Sequence, residues 1–101
     1  MNLIKHTEND QIILTLSGRL DTTTAPEFQT VLLSELQNGT DVILDFQDLA
    51  YVSSAGLRVL LTGQKAVAST GQHMILRHVV PSVMEVFDMT GFSDILTIQP
   101  D

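Results

Sequence analysis

The chain has 101 residues, 44% apolar and 5% aromatic, with no Trp and no Cys. That is enough for one aliphatic core and too little for two, and it leaves no disulfide framework and no thiolate chemistry. The formal net charge of −7, with only 5 Lys and Arg against 12 Asp and Glu, offers no basic cluster to neutralise phosphates, which argues against nucleic acid and against an anionic membrane surface.

Met1-Asn2-Leu3-Ile4-Lys5-His6 has no signal-peptide hydrophobic region, and no apolar run reaches membrane-spanning length. The expectation is a soluble cytoplasmic protein, with residues 1–101 forming one domain. Leu3-Ile4 and Ile12 to Leu16 read as strands joined by the polar turn Glu8-Asn9-Asp10, an antiparallel hairpin. Ile12, Leu14 and Leu16 share one face, with Thr15 and Ser17 on the other. Ser17-Gly18-Arg19 breaks that pattern, and Leu20-Asp21 extends or bends the sheet edge.

Thr24-Ala25-Pro26-Glu27 is a helix start. Thr24 is placed to cap, Pro26 fits the first turn, and Glu27 has the spacing of a capping-box partner. Phe28, Val31, Leu32 and Leu36 then recur at helical spacing, and Asn38-Gly39 ends the helix. Asn38-Gly39-Thr40 is formally a glycosylation sequon and is better read as this turn. Val42 to Phe46 has little alternation, as in a central strand covered on both faces, and a loop follows. From Ser54 a second helix turns Leu57, Leu60, Leu61 and Val67 inward. Its Gly63 suits close packing, and Gly71 stops it. Met74 to Arg77 reads as a strand. Pro81 opens a short helix with Val83, Val86 and Phe87 on one side, stopped at Thr90-Gly91. Ile95 to Ile98 is a final strand or extended tail. Strand–helix–strand units imply parallel pairs with right-handed crossovers. With the hairpin in front, the prediction is an α/β fold: a mixed sheet of four to five strands with helices mainly on one face.

Chemistry is sparse. His6, His73 and His78 lie on separate segments without metal-ligand spacing, so no metal is expected. Tyr51-Val52-Ser53-Ser54-Ala55-Gly56 lacks the first Gly of a nucleophile elbow, and no phosphate-cradling loop is present. Asp45 and Asp48, flanking the loop before Ser53, have the composition of an acid/base pair, but such residues are more often turn formers. Arg58 reads as a solvated charge within reach of Ser54. Asp21, Thr22, Thr23 and Thr24 read as a turn and cap, or as a polar loop beside Ser54. Two roles are open to Ser53-Ser54: a helix cap, favoured by the residue type, or a phosphate acceptor at a helix end that attracts anions.

Leu49-Ala50-Tyr51-Val52-Ser53-Ser54-Ala55-Gly56-Leu57-Arg58-Val59-Leu60-Leu61 resembles the signature loop and helix of bacterial anti-sigma-factor antagonists of the STAS-domain family. Ser17-Gly18-Arg19-Leu20-Asp21 is similar to the family's early Gly-x-x-Asp segment. Gly71, Pro81 and Val86-Phe87-Asp88-Met89-Thr90-Gly91 resemble its late helix and cap. The family loop reads Asp-Ser-Ser/Thr-Gly, and the Ser after the Asp is the phosphorylated one. Aligned on Gly56, that acceptor falls on Ser54, with Ser53 in the Asp position and as rival acceptor, and Ala55 in the second hydroxyl position. The resemblance implies a STAS-type sandwich and partner switching. The unphosphorylated chain would bind an anti-sigma factor that is also a serine kinase. Phosphorylation of Ser54 would release it, and a PP2C-type phosphatase would reset it. The partner-binding surface would comprise Asp21, Thr22, Thr23, Ser53, Ser54, Ala55, Gly56 and Arg58. ATP would belong to the kinase, so this chain would be neither an enzyme nor a cofactor binder. The missing Asp motivates an alternative, a non-phosphorylated STAS scaffold subunit of a transport or signalling assembly. A third reading, a small enzyme or ligand-binding domain using Asp45, Asp48 and Ser54, has no motif behind it.

Overall fold

Asn9 and Asp10 reverse the chain with φ of 53° and 65°, the left-handed pair that a two-residue hairpin matched to strand twist requires. They join β1 (Asn2–Glu8) to β2 (Gln11–Leu20) in an antiparallel ladder that begins at Glu8 opposite Gln11. The computed structural model describes residues 1–100. After β2 come α1 (Ala25–Gln37), β3 (Val42–Val52), α2 (Ser54–Thr70), β4 (Met74–Arg77), α3 (Pro81–Thr90), a 3-10 turn at Phe92–Asp94 and β5 (Thr97–Ile98). The five strands lie in the order β1-β2-β3-β4-β5. Every neighbouring pair after the hairpin is parallel.

One face of the sheet carries Ile12, Leu14, Leu16, Val42, Leu44, Phe46, Met74 and Leu76, which pack with Phe28 and Leu32 of α1, Leu60 and Val67 of α2, and Val83 and Phe87 of α3. All three helices therefore contribute to a single core on one side. Phe46 and Phe87 meet with ring centroids 6.5 Å apart. On the opposite face the register aligns Ile13, Ile43 and Ile75 in one row and Thr15, Asp45 and Arg77 in the next. Gly63 sits where α2 presses on the core. A Cβ there would fall 2.8 Å from Met74 Sδ and 2.9 Å from Leu32 Cδ2.

Three expectations need correction. β3 does not end near Phe46; it continues to Val52. Between Thr15 and Ser17 on β2 the partner advances from Asp45 to Asp48, and between Gly18 and Arg19 it advances from Leu49 to Tyr51. Each step places one extra residue on β3, a bulge that bends the strand and interrupts its alternation. The supposed loop is thus irregular strand. Ser17-Gly18-Arg19 likewise does not end β2, which is an inner strand and not an edge. Gly18, at φ 90°, supplies the backbone freedom at the irregularity, and Leu20 returns to the core fully buried. Lastly, Thr24 makes no side-chain cap on α1. Its hydroxyl accepts from the Asp21 amide at 2.9 Å and donates to the Arg19 carbonyl at 2.9 Å, so it closes the turn before the helix instead. The closing segment pairs only over Thr97–Ile98.

Candidate functional site at the start of α2

Val52, buried at the end of β3, and Leu57, buried in the first turns of α2, flank the junction, where Ser53 alone lies between strand and helix. The Ser53 amide donates to the Leu20 carbonyl at 2.9 Å, and the Ser53 carbonyl accepts from the Leu57 amide at 2.9 Å. Ser53 is the N-cap, in extended conformation, and its Oγ accepts from the Gly56 amide at 3.4 Å. That is a long capping bond, but it satisfies one of the helix's free donors. Ser54 is the first helical residue. It is exposed, and among the described residues its hydroxyl has no hydrogen bond. Ser53 is thus engaged by the backbone, whereas Ser54 faces solvent.

Gly56 is buried beneath them. A Cβ there would lie 2.7 Å from Leu20 Cγ and 3.2 Å from the Leu20 carbonyl oxygen. Its place in the motif is a packing requirement that lets α2 start directly against the end of β2.

The polar turn after β2 is adjacent. Asp21 Oδ1 accepts from the Thr23 amide at 3.0 Å and the Thr24 amide at 3.2 Å. These bonds, Thr24 foremost, together with the nearby Arg19 guanidinium, hold the Asp21 carboxyl below its ordinary value against an opposing effect of dehydration. Thr22 lines a groove of about 400 Å³ with Ala25, Pro26 and Gln29 of α1 and Ala55 and Arg58 of α2. Of the residues singled out in the sequence, Thr22, Ala55 and Arg58 share this groove. Ser53, Ser54 and Gly56 form the helix start, and Asp21 and Thr23 shape the turn without lining the groove.

Two residues at this end escaped the sequence reading. Arg19 stacks over the Tyr51 ring, 4.2 Å from its centroid, and its Nε lies 3.7 Å from Asp21 Oδ2. Tyr51 is the only tyrosine and is exposed, but only the bulged pairing of β2 with β3 sets it opposite Arg19.

Asp45 and Asp48 do not flank a loop. Both lie in β3, Asp45 buried and Asp48 exposed. Asp45 is an anchor: Oδ1 accepts from the Gln47 amide at 3.0 Å, and Oδ2 accepts from Arg77 Nε at 3.1 Å and sits 3.1 Å from His78 Nδ1. Burial raises its pKa, and the Gln47, Arg77 and His78 contacts outweigh that and leave it below the ordinary value. Both Oδ atoms are occupied, so the group is unsuited to proton transfer with a substrate. His6 lies 3.7 Å from Glu8, and His73 lies 3.5 Å from Asp41. Among the described residues no three His, Asp or Glu side chains gather as a metal-binding group, and no helix is long and apolar enough to cross a membrane.

A mixed five-stranded sheet with three helices packed on one face and Ser53-Ser54 at the start of α2 is an α/β sandwich. The sequence profile of the STAS domain matches residues 2–101, and the chain belongs to the STAS domain family, among its anti-sigma-factor antagonists. It is 30% identical over 95 residues to the anti-sigma-B factor antagonist of Bacillus subtilis, covering 94% of this chain and 86% of that protein. To the anti-sigma-B factor antagonist of Staphylococcus epidermidis it is 28% identical over 99 residues, covering 97% and 92%. The fold matches the anti-sigma factor antagonist SpoIIAA in its unphosphorylated form with a TM-score of 0.77 at 16% identity, over 99% of this chain and 89% of that one. For an anti-sigma factor antagonist from Mycobacterium paratuberculosis the TM-score is 0.85 at 16% identity, over 99% and 86%.

Proposed function

We propose that the chain acts as one STAS domain that switches partners in the cytoplasm through phosphorylation of Ser54. Unphosphorylated, it binds an anti-sigma factor that is also a serine kinase, and the sigma factor is released. In the kinase reaction the γ-phosphoryl of ATP passes to Ser54 Oγ, ADP leaves, and the hydroxyl proton goes to a base of the kinase. The modified chain then lets go, and a PP2C-type phosphatase restores the hydroxyl. The chain is substrate and regulator, and the nucleotide belongs to its partner. The observation that carries this reading is the contrast at the helix start: Ser53 Oγ is held by the Gly56 amide, while Ser54 is exposed and, among the described residues, has no hydrogen-bond partner. A solved structure of SpoIIAA in its phosphorylated form has the same fold, with a TM-score of 0.75.

The physics of release is simple. A phosphate adds about −1.5 to −2 charge to a chain already at −7. In an interface it brings repulsion and a desolvation cost. Within the chain it sits at the N-terminus of α2, where an anion is favoured by about 0.3–1 kcal/mol. The fold is left intact while the docking surface changes.

The test is incubation with the candidate kinase and ATP, site mapping by mass spectrometry, and affinity measurements on Ser54→Ala and Ser54→Asp. Expected are phosphate on Ser54, tight binding of Ser54→Ala irrespective of ATP, and weak binding of Ser54→Asp. Equal affinities for the two variants, with no phosphate found, would instead favour a passive scaffold, the reading suggested by Ser53 in the family's Asp position.

A further inference from the structure

We infer that Arg58 is the counterion of the Ser54 phosphate within the chain, a positioning residue that draws the modified side chain along α2 and in doing so withdraws the only positive charge from the α1–α2 groove. The inference rests on Ser54 being the modified residue.

Ser54 and Arg58 are four residues apart on α2. Residues at that spacing are neighbours on a helix surface, and helical side chains lean toward the N-terminus, so the Arg58 side chain lies over the turn that begins with Ser54. On the helix circumference Arg58 falls between Ser54 and Ala55, and it lines the groove with Ala55. It can therefore face either the groove or the modified serine.

Nothing competes for it. Lys5 is paired with Glu35, Arg19 with Asp21 and the Tyr51 ring, and Arg77 with Asp45. Among the described residues Arg58 is exposed and has no ion pair, and α2 has no acidic residue in its first turn. Among the described residues the groove contains no carboxylate, and Arg58 is its only charged residue. The remaining cation, Lys65, is seven residues further along α2, about two turns away. An unpaired guanidinium beside a new dianion forms charge-assisted hydrogen bonds, and its fork of donors suits two phosphate oxygens at once. Phosphorylation then has two effects on a docked partner: it adds negative charge at the helix start, and it turns Arg58 away from the groove.

The experiment uses the full chain with phosphoserine installed at position 54 during synthesis, so it needs no kinase. The phosphate is titrated by phosphorus NMR in the otherwise wild-type chain, in Arg58→Gln and in Lys65→Gln. The expected result is a second phosphate pKa higher by about 0.3 units or more in Arg58→Gln than in the wild-type chain, with Lys65→Gln matching wild type. Superimposable wild-type and Arg58→Gln titrations would overturn the inference, as would an equal rise in Lys65→Gln, which would mean diffuse charge and no pairing. Thermal melts of the unmodified variants verify that both fold. If Ser54 is not the residue modified by a kinase, the kinase assay above fails while this titration still reads the pairing, so the two failures are distinct.

Discussion

The Ser53 amide and the Leu20 carbonyl, 2.9 Å apart, tie the start of α2 to the end of β2, directly before the Asp21 turn. This link is backbone and survives any side-chain change at either serine. What distinguishes the serines is the cap. Ser53→Ala removes the acceptor for the Gly56 amide and is expected to cost about 0.5–1 kcal/mol, the lower part of the range for cap loss because the bond is long. Ser54→Ala is expected to stay within about 0.5 kcal/mol of wild type, as for an exposed residue. Urea denaturation of both variants checks this. A larger loss for Ser54→Ala would mean that Ser54 has a structural role.

Gly56 and Gly63 are both buried on α2, but a methyl group at each meets different matter. At position 56 it collides with Leu20 Cγ and lies close to the Leu20 carbonyl oxygen, which is itself held by the Ser53 amide. Gly56→Ala is expected to destabilise by about 1–3 kcal/mol through overpacking and to shift the serine pair. At position 63 the obstacles are the Met74 sulfur and a Leu32 methyl, ends of flexible side chains. There the strain is set against a gain of about 1 kcal/mol in helix propensity, so Gly63→Ala is expected to be the milder change. Equal melting temperatures for the two would contradict the difference in rigidity.

How far the sequence revealed this depended on period. Ile12, Leu14 and Leu16 alternate cleanly, and Phe28, Leu32 and Leu36 recur at helical spacing, so β2 and α1 were legible. The second half of β3 was not. Its buried residues Leu49 and Val52 are three apart because bulges add residues that face no partner, and a spacing of three does not read as strand. The same bulges hid the Arg19–Tyr51 stack. The Asp45–Arg77 pair spans 32 positions and exists only through parallel register, which no local pattern reports. At the helix start the residue types announced a cap. Which serine supplied it depended on where the first helical residue fell, and boundaries are the least legible part of any element.

Asp45 gives the fold an acid-sensitive component. Its folded pKa lies below the ordinary value, so its contribution to stability is present above the unfolded value of about 3.9 and is lost as pH falls through the lower folded value. Asp21 shifts in the same direction, but its surroundings are solvated. Asp45→Asn is expected to cost about 1–3 kcal/mol at neutral pH, the range for losing hydrogen bonds to a charged group. It should also flatten the stability profile below about pH 4. Denaturation midpoints from pH 7 downward check both parts. If the Asp45→Asn variant were as acid-sensitive as wild type, the sensitivity would lie elsewhere.

Lys5 Nζ and Glu35 Oε1, 2.6 Å apart, join the edge strand β1 to α1, with the Lys5 side chain 51% exposed and that of Glu35 only 9%. The asymmetry decides which substitution hurts. Lys5→Ala leaves a carboxylate with little access to water, near the C-terminal end of α1 where the helix dipole also disfavours negative charge. An expected loss of about 1–2 kcal/mol is below the figure for a fully buried pair because Lys5 was half solvated already. Glu35→Leu removes the group that needs the partner and extends the apolar surface of α1 beside Leu32 and Leu36, so it is expected to be neutral or stabilising. In the Glu35→Leu background, Lys5→Ala should then cost almost nothing. Urea denaturation of the four proteins gives the coupling directly. If Lys5→Ala cost the same in both backgrounds, its effect would lie in the packing of its aliphatic stem on the sheet, and the ion pair would contribute nothing to holding β1 in place.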